Sequence, residues 1–132
     1  MPQPLSQSPY VKGAANLIAL IWVAIGANAM VRPRSGLEIF QFPLPASPEA
    51  RNLVDNLMII YGVRDVFMGV AMYAAVIFGT NKALGWITIA ASAVAYVDGF
   101  VSIAQIGGGQ WNHWGYAPVL TVVGSLLAGI AD

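Results

Sequence analysis

Long stretches of this chain carry almost no charge, and they constrain its fold more than any other feature. Residues 13–31 are all uncharged and mostly apolar. As a helix this stretch would be roughly 28 Å long, close to the thickness of a bilayer hydrocarbon core. Three further apolar stretches follow at residues 54–79, 83–104 and 116–130. The pattern predicts an all-α integral membrane protein built as a four-helix bundle.

The balance of apolar and charged residues points the same way. Of 132 residues, 58% are hydrophobic and only 9% are charged, whereas soluble chains carry about 25% charged residues. The formal net charge is zero, so the chain lacks the basic surface that binds nucleic acid. It also has no cysteine, which excludes disulfides, thiolate nucleophiles and cysteine-ligated metals. We therefore expect chemistry that uses oxygen and nitrogen side chains or a bound cofactor.

The spans and the segments between them form a single domain. Residues 1–12 are polar and proline-broken and are predicted to be a disordered tail, and residues 13–131 form the transmembrane domain. The short turn at residues 79–82 makes the second and third spans antiparallel neighbours. An alternating path then puts segments 32–52 and 105–115 on one side of the membrane, which we call the looped side.

Two features of this layout allow a second interpretation. The small residues at 27 and 29 resemble a cleavage site, so the first span could instead be a signal peptide, although it is long for one. Segment 32–52 contains four prolines. We favour an interfacial connector there, and the alternative is a lid that folds back over the bundle. Arg32 and Arg34, next to the first span, favour a cytoplasmic looped side.

Three charged residues, Arg64, Asp65 and Asp98, lie inside predicted spans. A charge near the bilayer centre costs about 2.5 kcal/mol or more, so these side chains should face the protein interior and have partners. Adjacent residues on a helix point about 100° apart, so we expect Arg64 to pair with Asp98 and not with its neighbour Asp65. The antiparallel arrangement brings all three into the half of the bundle nearer the looped side.

Two carboxyl groups in different environments can serve as the acid and the base of a catalytic pair, because their pKa values are pushed apart. Asp65 is the less compensated of the two, with Tyr61 in hydrogen-bonding reach one turn earlier, and we predict that it acts as general acid. Asp98, kept ionised and oriented by Arg64, is predicted to be the general base. Such a pair suits the opening of an epoxide. The alternative is a purely architectural salt bridge between helices.

The remaining candidate residues would bind a ligand. Met68 and Met72 continue the Tyr61 face deeper into the second span, and a pocket with this gradient would hold a long apolar molecule by its functionalised end. Trp111, Asn28 and Asn56 are predicted to border the same pocket. Close helix packing and interhelical hydrogen bonds are the alternative roles for these side chains.

His113, the only histidine, lies in the glycine- and tryptophan-rich segment 107–116. That segment lacks the Lys-Ser/Thr ending of a phosphate-binding loop, and it follows a helix instead of a strand. A single imidazole does not make a zinc site. We favour an interfacial hydrogen-bonding role for His113, with an auxiliary acid–base role second and a metal or haem ligand third.

Three motifs carry a family resemblance: YGVRDVFMG at 61–69, DGF at 98–100 and WNHWG at 111–115. Together they resemble a family of small fungal four-span membrane proteins known only as a domain of unknown function. The chain is more loosely similar to the small membrane hydrolases and cyclases that open epoxides on polyene-pyrone polyketides. This resemblance implies a lipophilic polyketide epoxide, secondary metabolism and the endoplasmic-reticulum membrane. The roles of Asp65 and Asp98 are not carried over from it and depend on burial and geometry alone.

The sequence therefore predicts a cofactor-independent, membrane-embedded acid–base enzyme that hydrolyses or cyclises epoxides. Tyr61 and His113 are its second-rank participants. Two other function classes remain open: a noncatalytic membrane subunit or lipid-binding scaffold, and an isomerase or terpene-type cyclase. The expected partners are a lipophilic small molecule and membrane lipids, and homo-oligomerisation is left open.

Overall fold

A computed structural model describes residues 3–132, and each regular element in that range is helical. The elements, after a single 3-10 turn at Leu5–Gln7, are α1 (Pro9–Val31), α2 (Pro33–Ile39), α3 (Pro48–Phe78), α4 (Asn81–Ile106), α5 (Trp111–Trp114) and α6 (Ala117–Leu127). The predicted all-α class is confirmed.

Local chemistry at the helix ends explains where these elements begin and stop. Helices α1, α2, α3 and α6 each have proline in their first two positions, where its fixed φ suits a helix and its missing N–H is not needed. Ser47 caps α3 by accepting from the amide of Ala50, and Thr80 caps α4 by accepting from the amide of Ala83. Helix α4 ends at Gly107, which adopts a left-handed φ of 71°.

Three helices, α1, α3 and α4, are long and apolar enough to cross a membrane, with 23, 31 and 26 residues. They correspond to the first three predicted spans, and α3 ends one residue before the predicted end of the second span. The fourth predicted span corresponds to α6, which has 11 residues and is therefore about 16 Å long. That length is short for a membrane crossing. Within residues 3–132, the structure therefore supports three of the four predicted membrane-spanning helices, and the fourth is too short to count as one.

The N-terminal residues differ from the predicted disordered tail over the part that the structure describes. Residues 5–7 form the 3-10 turn and α1 begins at Pro9, four residues before the predicted span. The amide of Ser6 donates to Asp132 Oδ1 at 3.0 Å, and its carbonyl accepts from Asn81 Nδ2 at 2.8 Å. These hydrogen bonds hold the segment against the α3–α4 turn, a contact that local composition does not reveal.

The helices pack as two tight pairs, α1 with α3 and α4 with α6. Small residues allow this, since a Cβ atom added at Gly26 of α1 would lie 2.5 Å from the carbonyl oxygen of Gly62 in α3. Gly85 and Gly124 meet in the same way in the second pair, where a Cβ at Gly124 would lie 2.8 Å from the Gly85 oxygen. Contacts between the two pairs are much sparser.

Two hollows lie where the pairs meet loosely. An apolar groove of about 390 Å³ runs between α1 and α6, bordered by side chains such as Leu17, Ile21 and Val119. A half-open pocket of about 290 Å³, which we call the cavity, lies on the other side and is bordered by α3, α4 and the segment that contains α2. The second hollow lies beside the buried charges and is described below.

The close approach of α1 and α3 gives a direct test of the packing. We expect Gly26→Ala to lower the free energy of unfolding by about 1–3 kcal/mol, because the new methyl group meets backbone atoms of α3. Gly13→Ala is the matched control in the same helix, since nothing lies within 4 Å of its added Cβ, and it should be neutral or stabilising by up to about 1 kcal/mol. Reversible detergent unfolding followed by circular dichroism measures both. Equal stability of the two variants would contradict the tight α1–α3 pair.

Candidate functional site

Arg64 of α3 and Asp98 of α4 form the central interaction of the site. Arg64 Nη1 donates to Asp98 Oδ1 at 3.0 Å and Nη2 donates to Oδ2 at 2.8 Å. This two-bond geometry is the strong form of an arginine–carboxylate pair. The ion pair predicted from helix depth is therefore present, and it crosses the sparse contact between the two helix pairs.

Arg64 also contacts Asp65, and the prediction that these neighbours do not pair is wrong. Arg64 Nε donates to Asp65 Oδ1 at 3.1 Å, and Nη2 lies 3.1 Å from the same oxygen. The 100° rule describes where Cβ atoms point, whereas the long arginine side chain bends back far enough to reach its neighbour. Asp65 is fully buried, and its Oδ2 has no hydrogen-bond partner among residues 3–132.

Tyr61 lies directly against the guanidinium group. The Arg64 Cζ atom is 4.3 Å from the centroid of the Tyr61 ring, a cation–π distance. Tyr61 was predicted to serve as a hydrogen-bond partner for Asp65, and the structure shows its ring supporting Arg64 from one face. Arg64 is thus held by two carboxylates and one aromatic ring.

The loop after α4 folds against the same end of the bundle. The indole of Trp114 donates to the carbonyl oxygen of Tyr96 at 3.0 Å and lies on Gly99, where an added Cβ would clash with the ring. The Phe100 and Trp114 ring centroids are 5.0 Å apart. Gly99 therefore leaves room for the indole, and the DGF and WNHWG motifs form one contact.

His113 is fully buried, and neither ring nitrogen has a hydrogen-bond partner among residues 3–132. The favoured prediction of an interfacial hydrogen-bonding residue is therefore wrong. The physical reason is that Asn112 takes the outward position and donates to the Ile39 carbonyl at 2.9 Å, while the short helix α5 turns the imidazole inward.

Burial lowers the pKa of His113 below its usual 6.5. The negative charge of Asp98 raises this pKa in part, and the positive charge of Arg64 lowers it further. The imidazole is therefore neutral at pH 7, with one donor and one acceptor nitrogen. Within residues 3–132, no group of three histidine or acidic residues is placed to hold a metal ion.

The segment after α1 folds back over the bundle, as in the second of the two interpretations offered for residues 32–52. Its Phe40 is buried between two rings, with centroid distances of 5.1 Å to Tyr61 and 4.6 Å to His113. The charges of α3 and α4 are thus covered on the looped side by an aromatic side chain from the connector.

The cavity of about 290 Å³ lies under this cover. Its walls are apolar except for Tyr61 and Asp98, whereas Asp65, the predicted general acid, is not part of its lining. Leu57 and Val101 are about half exposed, at 52% and 47%, and they mark an outer edge on the apolar surface of the protein. The full lining is Leu37, Phe40, Phe42, Val54, Leu57, Met58, Tyr61, Asp98 and Val101.

The structure does not bring the predicted ligand-binding residues to this cavity. Met68 and Met72 are core residues, 8% and 0% exposed, and belong to the packed interior below it. Asn28 donates to Ser35 Oγ at 3.2 Å, a contact between α1 and α2. Asn56 is exposed, and Trp111 is 70% exposed with its ring edge-on to Trp114.

Sequence reasoning missed the residues that the connector supplies, chiefly Leu37, Phe40 and Phe42. The available signal was the apolar and aromatic run at residues 37–44, within the segment 32–52 that contains four prolines. Such a run is costly to leave in water, and folding it onto the bundle buries it.

Breaking the central ion pair should destabilise the fold more than breaking a surface pair. Arg64→Met leaves two buried carboxylates without their shared partner, and we expect a loss of about 3–5 kcal/mol of unfolding free energy. Arg34→Met is the control, because the Arg34–Asp55 pair is 3.8 Å long with 62% and 29% of the side chains exposed, and it should cost at most about 1 kcal/mol. Detergent unfolding curves measure both. Similar losses in the two variants would contradict a stabilising role for Arg64.

Comparison with known proteins identifies a family but no activity. No curated protein and no solved structure matches the chain. Residues 19–127 match a family described as a domain of unknown function (DUF4267). The match covers most of the chain, from the middle of α1 to the end of α6, and includes all three motifs, so the chain belongs to the DUF4267 family.

Proposed function

We propose that this protein is a membrane-embedded, cofactor-independent acid–base enzyme that opens an epoxide on a lipophilic small molecule. One observation carries the proposal: an apolar cavity of about 290 Å³ has Tyr61 and Asp98 as its polar lining, and Asp98 is held in a two-bond pair with Arg64. Pockets that bind small molecules combine apolar walls with a few oriented polar groups. The resemblance stated from the sequence supports an epoxide as the reactive group.

The groups that line the cavity supply both proton transfers. Asp98 takes a proton from water as the water oxygen bonds to one epoxide carbon and the ring C–O bond at that carbon breaks. The Tyr61 phenol gives its proton to the ring oxygen. The proton on Asp98 then returns to the Tyr61 phenolate, so that one water has been added and a vicinal diol is released. In a cyclisation, an internal hydroxyl of the substrate replaces the water.

This mechanism changes the role predicted for Asp65. Because Asp65 lies outside the cavity lining and accepts from Arg64 Nε, we assign it to positioning the guanidinium group that orients Asp98. Tyr61 takes the general-acid role, since its ring lies both on the cavity wall and against Arg64. Asp98 keeps its role as general base.

The size and position of the cavity support one class of substrate. About 290 Å³ is at the small end of ligand pockets, so it would hold the functionalised end of a long molecule while the rest extends into the lipid. The half-exposed Leu57 and Val101 at its edge fit entry sideways from the bilayer. We propose that the enzyme is a multi-pass protein of the endoplasmic-reticulum membrane in fungal secondary metabolism, with residues 116–130 forming the fourth crossing and the looped side cytoplasmic.

A second candidate function has its own supporting observation. Three aromatic rings meet at the cavity, with Phe40 lying 5.2 Å from Phe42 and 5.1 Å from Tyr61 between centroids. Aromatic faces stabilise a developing cation, which is what an isomerase or terpene-type cyclase requires. Turnover in ¹⁸O-water separates this candidate from hydrolysis, because only hydrolysis places the label in the product.

Substitution of the two lining groups tests the proposed enzyme. With 1,2-epoxyoctadecane, whose epoxide is at the end of an apolar chain, as the probe and diol formation followed by mass spectrometry, Asp98→Asn should lower turnover by about 10²–10⁴-fold. Tyr61→Phe, which keeps the ring against Arg64, should also lose at least about 10²-fold. Asp55→Asn is the control, because this α3 carboxylate pairs with Arg34 away from the cavity.

Correct folding of each variant is checked by circular dichroism and gel filtration. Wild-type turnover in folded Asp98→Asn would remove the general-base assignment. A wild-type protein that converts no epoxide would instead support a noncatalytic membrane subunit or lipid-binding scaffold.

A further inference from the structure

We propose that His113 is a second polar subsite of the cavity, closed off by the ring of Phe40, and that it binds a neutral hydroxyl or carbonyl group of the ligand. This inference rests on the proposed function for the identity of the ligand as a lipophilic molecule. Its physical basis is independent of any reaction at Asp98.

The first support is the isolation of the imidazole. His113 is 0% exposed, and both of its ring nitrogens lack a hydrogen-bond partner among residues 3–132. Buried polar groups in proteins are almost always hydrogen-bonded, because leaving a donor or acceptor unpaired in the interior is costly. A fully buried side chain with two unpaired nitrogens therefore marks a place where a partner molecule would be stabilised.

The second support is the position of Phe40. Its ring lines the cavity and also stacks on the imidazole, with 4.6 Å between centroids and a 41° tilt. His113 itself is not part of the cavity lining. The ring of Phe40 therefore contacts the imidazole and also forms part of the wall of the cavity that contains Asp98.

The backbone next to Phe40 favours movement of this ring. Phe40 follows the last turn of α2, and Gln41 adopts a left-handed φ of 58°, a conformation that is strained in a non-glycine residue. Gln41 is exposed, and prolines follow at positions 43 and 45. Releasing the strained residue would swing Phe40 away from His113 without unfolding α2.

The chemistry of the imidazole defines what the subsite accepts. A neutral histidine offers one donor and one acceptor, which matches a hydroxyl group and, through the donor alone, a carbonyl oxygen. A charged group would have to leave water for a buried site that already holds the Arg64 cluster, and that transfer is strongly unfavourable. The preferred ligand therefore carries a neutral oxygen function beyond its epoxide.

Because His113 is the only histidine, its reaction with diethyl pyrocarbonate reports directly on its access. The full chain, carried on an affinity tag without histidine, is reconstituted in phosphatidylcholine nanodiscs and followed by peptide mass spectrometry. We expect slow modification of the wild type and a rate at least about tenfold higher in Phe40→Ala, since removing the ring opens a path to the imidazole. Phe42→Ala is the matched control, because Phe42 lines the same cavity and stacks on Phe40, and its rate should stay near wild type.

Phe40→Leu keeps part of the side-chain volume and guards against misfolding of the alanine variant, with an intermediate rate expected. Equal rates in wild type and in both folded Phe40 variants would overturn the gating role of Phe40. If Phe42→Ala raised the modification rate as much as Phe40→Ala, the gating role of Phe40 would also be overturned, because the result would indicate general loosening of the loop.

Small probes then test the polar subsite itself. The space left by Phe40→Ala should take up benzene-sized molecules, as apolar cavities do. Phenol should protect His113 from modification at concentrations at least about threefold lower than benzene, because its hydroxyl can bond to the imidazole. Equal protection by phenol and benzene, after correction for reagent loss with N-acetylhistidine, would reduce the site to an apolar hollow. None of these measurements involves turnover, so they fail or succeed independently of the Asp98→Asn result.

Discussion

The fold depends on how a membrane-spanning chain neutralises two buried carboxylates with one partly exposed arginine. Arg64 pairs with Asp98 across the bundle, bends back to Asp65 and lies on the ring of Tyr61. Each carboxylate alone in an apolar interior would carry a large free-energy cost of desolvation. The attraction of both carboxylates to Arg64 offsets this cost. The cluster also fixes α3 against α4 at a place where few other contacts join them. The same interaction therefore holds the two helix pairs together and sets the chemistry of the cavity beside it.

Tight and loose packing have separate consequences in this protein. Glycines at the α1–α3 and α4–α6 contacts let backbones approach closely, since Gly26 faces Gly62 and Gly85 faces Gly124. Side-chain volume is then missing between the pairs, and the hollows form there. The cavity is thus a product of which helices pair tightly, and the ion pair keeps its walls at a defined separation.

The sequence predicted the helical class, the three long apolar helices and the meeting of Arg64 with Asp98, because these follow from local hydropathy and from the cost of charge in lipid. It could not predict that Arg64 also bends back to Asp65, since the reach of a long side chain depends on rotamers chosen by tertiary contacts. The inward position of His113 and the burial of Met68 and Met72 in the core depend on how segments far apart in sequence pack. The same holds for Phe40, whose role appears only when the connector folds onto α3 and α5.

The connector between α1 and α3 shapes the cavity independently of the packed helix pairs. Its residues Leu37, Phe40 and Phe42 form much of the cavity wall, yet none of them takes part in the glycine contacts within the helix pairs. Exchanges in this short stretch can reshape what fits inside while the helical framework keeps its geometry. The shape of the cavity can therefore be altered through a handful of substitutions at one edge, separately from the contacts that hold the helices together.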